Sequence, residues 1–111
     1  MSEENNIKKY NGSSWNNGSP NYITGSGLGI KIIPEFTNTI FNNNLTTLEL
    51  YNNEILISDN INVDCKACKE LINKEIGLWM INNNFHQWNS GVPHRFMLTH
   101  QKNNVFNIVK V

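Results

Sequence analysis

The sequence predicts an α+β fold with a mainly antiparallel sheet, on three observations. Short apolar runs of period two recur along the chain, as half-buried strands require. Tight polar turns, not helices, join most of them. One longer segment, Asp64–Ile81, instead carries apolar residues at three-and-four spacing, the mark of a helix with one buried stripe. Strands that pair in hairpins lead either to an antiparallel α+β domain or to a small open barrel. The 111 residues suit one such domain. Their 39% hydrophobic content, with eleven aromatics, is enough to offset backbone entropy and excludes a disordered chain.

Residues 1–27 read as a polar N-terminal arm, and 28–111 as a single α+β domain. Ser13, Ser14, Asn16, Asn17, Gly18, Ser19 and Pro20 are turn formers. Trp15 and Tyr22 interrupt them, so the arm is expected to lie along the body. Leu28–Ile33 reads as a strand with Leu28, Ile30 and Ile32 on one face, stopped by Pro34. A short helix over about 34–41 follows, with Pro34 at its first position and Phe36, Ile40 and Phe41 inward. Leu45–Tyr51 and Glu54–Ser58 form a hairpin turning at Asn52-Asn53, since Asn tolerates positive φ. Leu48 and Leu50 face one side of it, and Ile55 and Ile57 alternate likewise.

The main helix is expected over about 64–81, capped by Asp64, with Cys68, Leu71, Ile72, Ile76, Trp79 and Met80 inward. Gly77 inside it marks a break or a close packing contact. Arg95–Thr99 and Val105–Val111, around Gln101–Asn104, make a second hairpin. No internal repeat is visible in the sequence.

Nine Lys and Arg balance nine Asp and Glu, which excludes a generally basic nucleic-acid coat but not a local patch. Asn fills 22 positions and supplies most of the polarity. No apolar run reaches the roughly 18 residues of a membrane span, and Met1–Tyr10 does not read as a secretory signal. Two cysteines make no disulfide scaffold, so the expected compartment is the cytoplasm. Three glycosylation-type triplets, at Asn11, Asn17 and Asn44, carry no weight in so Asn-rich a chain.

Cys65-Lys-Ala-Cys68 is the sharpest local motif. At a helix start, beside Lys66 and Lys69, a thiol would be acidified as in a thioredoxin-like redox site. Such a fold needs a further strand before a proline loop, and Asn82–Ser90 offers none. A zinc site would take Cys65, Cys68 and two of His86, His94 and His100, at spacings that match no finger. Two structural cysteines and solvated loop histidines at 86 and 100 are the simpler reading, with no metal and no cofactor expected. Gly25-Ser-Gly27-Leu-Gly29 enters a strand instead of opening a helix, so it is a strand entry and not a phosphate loop. No nucleophile triad or carboxylate pair is present, and Glu70 and Glu75 stand five apart. Arg95, the single arginine, stands beside His94 where a guanidinium could meet a phosphate or a guanine edge.

From residue 28 onward the order of elements resembles the DNA-binding pseudobarrels of the plant B-three type and the effector-binding domains of some restriction enzymes. The matching parts are Gly29-Ile-Lys-Ile-Ile with Phe41, the hairpin 45–58, Gly77-Leu-Trp79, and Phe85 through Gly91 leading into Arg95-Phe-Met-Leu. Val92 and Pro93 stand where such proteins usually carry an acidic residue after the loop glycine. The resemblance implies a non-enzymatic recognition module that binds duplex DNA through loops at one side of the barrel. Lys31, Lys66 and Arg95 are the first candidates for contact, with His94 beside Arg95 and Lys8 and Lys9 as an arm. The alternative from the residues alone is a small protein-binding accessory module of phage or mobile-element type, for which a neutral charge is no obstacle. Thiol or zinc chemistry at the cysteine pair stands third.

Overall fold

Backbone pairing carries the polar N-terminal segment into the middle of the sheet. The computed structural model describes residues 7–64 and 69–111. In chain order these form β1 (Lys9–Asn16), β2 (Leu28–Ile32), α1 (Pro34–Asn42), β3 (Thr47–Asn52), β4 (Ile55–Asn62), β5 (Glu70–Ile72), α2 (Lys74–Asn82), β6 (Arg95–Lys102) and β7 (Val105–Lys110). The sheet runs β4-β3-β7-β6-β1-β2-β5. Its neighbours are antiparallel except for β3 and β7, which run parallel. The edge strands β4 and β5 approach each other, so the mixed sheet nearly closes into a barrel. An α+β barrel-like fold is therefore what the chain adopts.

The barrel interior is filled by the inward residues of alternate strand positions: Leu28, Ile30, Leu48, Leu50, Phe96, Leu98, Phe106 and Ile108, all fully buried or nearly so. Helix α1 adds Phe36 and Ile40. The Phe36 ring packs 5.1 Å from Tyr10 and 4.8 Å from Phe106. Helix α2 adds Ile76 and Met80, while Trp79 packs half-buried against Phe85 and Phe96 at 5.3 and 5.8 Å. Among the described residues no helix is long and apolar enough to cross a membrane.

Several expectations are corrected. The segment read as an arm contributes β1, flanked by β2 and β6. Its inward residues are Tyr10, Gly12 and Ser14, too weakly apolar to signal a strand. The helix expected to start at Asp64 starts at Lys74, capped by Asn73, whose Oδ1 accepts from Ile76 N at 2.8 Å. Residues 70–72 form β5 instead, with Leu71 buried and Ile72 exposed. Pairing with β2 overrides a local helical spacing that ran straight through them. Phe41 points outward, 68% exposed. The first hairpin turns at Asn53 and Glu54, with φ of 51° and 76°, one residue later than expected. Register irregularities in that hairpin leave Ile55 exposed and bury Ser58 in its place.

Against the expectation of no internal repeat, the structure also contains a duplication, which the sequence marks only by Glu35 and Glu75 and by the runs Asn42–Asn44 and Asn82–Asn84, each recurring forty residues on. β1-β2-α1-β3 and β4-β5-α2-β6 have the same order, and both helices span nine residues, starting forty residues apart. Both end in one cap. Asn43 N and Asn83 N donate to Thr39 O and Trp79 O at 3.2 and 3.1 Å, and their Nδ2 atoms donate to the same carbonyls at 2.7 and 2.8 Å. Asn44 and Asn84 follow at φ 55° and 60°. Leu45 N and Phe85 N then reach back to Ile40 O and Met80 O. Asn suits each position because its short amide both accepts the left-handed conformation and satisfies orphan carbonyls. Strand β7 lies between β3 and β6, the last strand of each unit.

Candidate functional site

Because β1 alternates, Lys9, Asn11, Ser13 and Trp15 share the outward face of the sheet. Cross-strand register sets their neighbours. Ser13 pairs with Lys31 on one side and with Arg95 on the other, and Lys9 pairs with Thr99. Directly opposed residues point to the same face. Lys31, Ser13 and Arg95 therefore form one row across three strands, with both cations exposed. The row ends at Glu70 of β5, which opposes Lys31. Thr99 and Asn107 of β7 extend the Lys9 row.

The loop before β6 is fastened to β1 through the inward residue Ser14. Ser14 N donates to His94 O, and His94 N donates to Ser14 Oγ, both at 2.9 Å. The His94 Nε2 lies 2.9 Å from Gln87 O, a bond that needs the proton on Nε2. Its ring packs against Phe85 and, edge-on, against Trp88. Below this loop an open cleft of about 610 Å³ is lined by Trp88, Val92, Pro93, His94, Arg95 and Lys110, among others.

Of the six residues singled out from the sequence, Lys31 and Arg95 share the row through Ser13, and His94 lines the cleft with Arg95. Lys8 and Lys9 lie toward the other end of β1, where a cleft of about 530 Å³ also holds Glu35. Four strand residues, about 13 Å, separate Lys9 from Ser13. Lys66, with Cys65 and Cys68, lies outside the described residues, and so does the thiol or zinc reading. Of the two histidines expected as solvated loop residues, His86 does lie in a loop but is half-buried, and His100 lies on a strand. His100 lies on β6, stacked 4.4 Å from Phe106, and its Nε2 is 2.8 Å from Asn103 O. His86 is half-buried beside Tyr22, and its Nδ1 is buried with no hydrogen-bond partner among the described residues. Among the described residues no three His, Cys, Asp or Glu side chains gather as a metal site. Among the described residues Tyr51, on β3, has its pKa raised. Desolvation pushes it up first, and the Glu49 carboxylate, 3.3 Å from its hydroxyl, and then Asp59 add to the shift.

Gly25, in the run read as a strand entry, has a structural task. A Cβ there would meet Lys74 O at 2.5 Å, and a Cβ on Gly77 would overlap the Gly25 carbonyl. The loop between β1 and β2 thus lies backbone to backbone on α2, which explains the glycine inside that helix. Asn11, Ser13 and Trp15 are the surface residues that sequence reading missed. Their only signal was an alternation whose buried partners were not apolar. Comparison with protein-family models, curated proteins and solved structures finds no match for the chain.

Proposed function

We propose that this chain is a non-enzymatic recognition module that binds duplex DNA on the outward face of β2, β1 and β6. The observation that carries the reading is the Lys31–Ser13–Arg95 row, flanked by Lys9, Asn11 and Thr99. Basic side chains bind phosphate oxygens there, and short hydroxyl and amide groups between them bond to phosphates or base edges. A net charge of zero does not oppose this, because Lys9, Lys31 and Arg95 share one face while Glu70 stands at its margin. The barrel-like fold agrees with the resemblance to DNA-binding pseudobarrels.

The test is a titration of mixed-sequence duplex DNA at several salt concentrations. With about three to five phosphate contacts, log K should fall against log salt with a slope of about −2.7 to −4.5. Arg95→Ala should weaken binding and, where the guanidinium reaches a base, relax preference at one position by about 1–3 kcal/mol. No binding at low salt overturns the proposal. A protein-binding module is the second reading, favoured by Ile55 and Leu56, 71% and 46% exposed at the start of edge strand β4. Binding of a protein partner that salt leaves unchanged and Ile55→Lys abolishes would put that reading first.

A further inference from the structure

The cleft beside Arg95 differs from an ordinary surface groove in three ways. Its described side chains include two cations, Arg95 and Lys110, and no acid, although the Val111 main-chain oxygen in the same lining holds Lys110 Nζ at 2.9 Å; the cleft at Lys8 and Lys9 includes Glu35. It has a fixed aromatic wall, since Trp88 is half-buried against the core and meets the His94 ring, itself pinned to Gln87 O and Phe85. A platform already held in place loses little freedom when a ligand stacks on it. Val92 and Pro93 complete an apolar side, and the volume of about 610 Å³ lies in the range of small-molecule sites.

A flat ring joined to an anion matches this lining, and a base inside an intact duplex could not reach it. We infer that the cleft receives one unpaired nucleotide, its base stacked on Trp88 and its phosphate on Arg95 and Lys110. This rests on the proposed DNA-binding reading and deepens it. Arg95 lines the cleft and also stands in the outward row, whereas Lys110, opposite inward Phe96, reaches the cleft from the other face of the sheet. Lys110 Nζ donates to Val111 O at 2.9 Å, which leaves further ammonium hydrogens for a phosphate. Stacking tolerates any base, so selectivity is for the unpaired state rather than for sequence.

Two duplexes serve as the main probes, one fully paired and one with a single bulged nucleotide. The bulged duplex should bind at least about tenfold more tightly, with an advantage that Trp88→Leu removes and Trp88→Phe largely keeps. The indole N–H resonance of Trp88 provides a second measurement that needs no variant. It should shift with thymidine monophosphate and stay in place with equimolar inorganic phosphate. Equal affinity for the two duplexes, or equal shifts from phosphate and nucleotide, overturns the inference and leaves duplex binding standing. Failure of both duplexes to bind at low salt overturns the functional reading as well.

Discussion

The two halves of this barrel solve the same problem with different fasteners. In the first, β1 and β2 pair along five residues in an ordinary antiparallel ladder. In the second, β4 and β5 approach with no ladder between them among the described residues, and side chains take over. Ser58, fully buried, bonds to Glu75 Oε1 at 2.5 Å and accepts from Asn73 Nδ2 at 2.8 Å, while Asn73 Nδ2 also reaches Asn60 O. The helices differ in the same way. α1 starts at Pro34 with Ile33 as an N-cap that makes no side-chain bond, whereas α2 starts with the Asn73 cap. Where backbone pairing is complete, the helix start needs little help. Where pairing is short, the capping residue also holds strand to helix. The helix interiors diverge too: the position equivalent to Gly77 is Thr37 in α1, and only α2 must admit the Gly25 backbone.

Gly77→Ala should show the largest effect, because the added carbon meets backbone that no rotamer can move. A loss of about 3 kcal/mol is expected despite the better helix propensity of Ala, read from urea unfolding. Unchanged stability would mean that the loop from β1 to β2 does not rest on α2. Next comes Asn73→Ala, expected to cost about 1–2 kcal/mol through the lost cap and the lost tie to β4. Combining it with Ser58→Ala sharpens the comparison. Coupling of about 0.5 kcal/mol or more would show the two acting as one fastener, and simple additivity would separate cap from tie. The smallest effect belongs to Glu54, held at φ 76° in the β3–β4 turn. Glu54→Gly relieves the left-handed cost and should raise stability by about 0.5–1 kcal/mol, seen as a higher Tm.

The halves also differ in what they show to solvent, and here the site follows the fold. The outward face of β1 and β2 carries Lys9, Asn11, Ser13 and Lys31, while the exposed residues of β4 include Ile55, Leu56 and Asp59. A duplicated scaffold therefore presents one polar, basic face and one partly apolar one.

Much of this was determined locally. Period-two runs placed β2, β3, β6 and β7 within a few residues, because their inward positions are Leu, Ile and Phe. Pro34 and the Asn42–Asn44 run bounded α1, and the Asn82–Asn84 run closed α2, through φ preferences that need no distant partner. Charge alone marked Arg95 and Lys31. Tertiary structure decided the rest. β1 is a strand because β2 and β6 offer it hydrogen-bond partners on both sides; its inward Gly12 and Ser14 supply no hydrophobic signal of their own. β5 is a strand because β2 has a free edge there, although Leu71 and Ile72 fit the helical stripe equally well. The cation row exists only through register: Lys31 and Arg95 are far apart in the chain, and their common pairing with Ser13 sets them on one face. Register is a long-range quantity, fixed by which ladders close and which residues fill the interior, so no local pattern could have announced it.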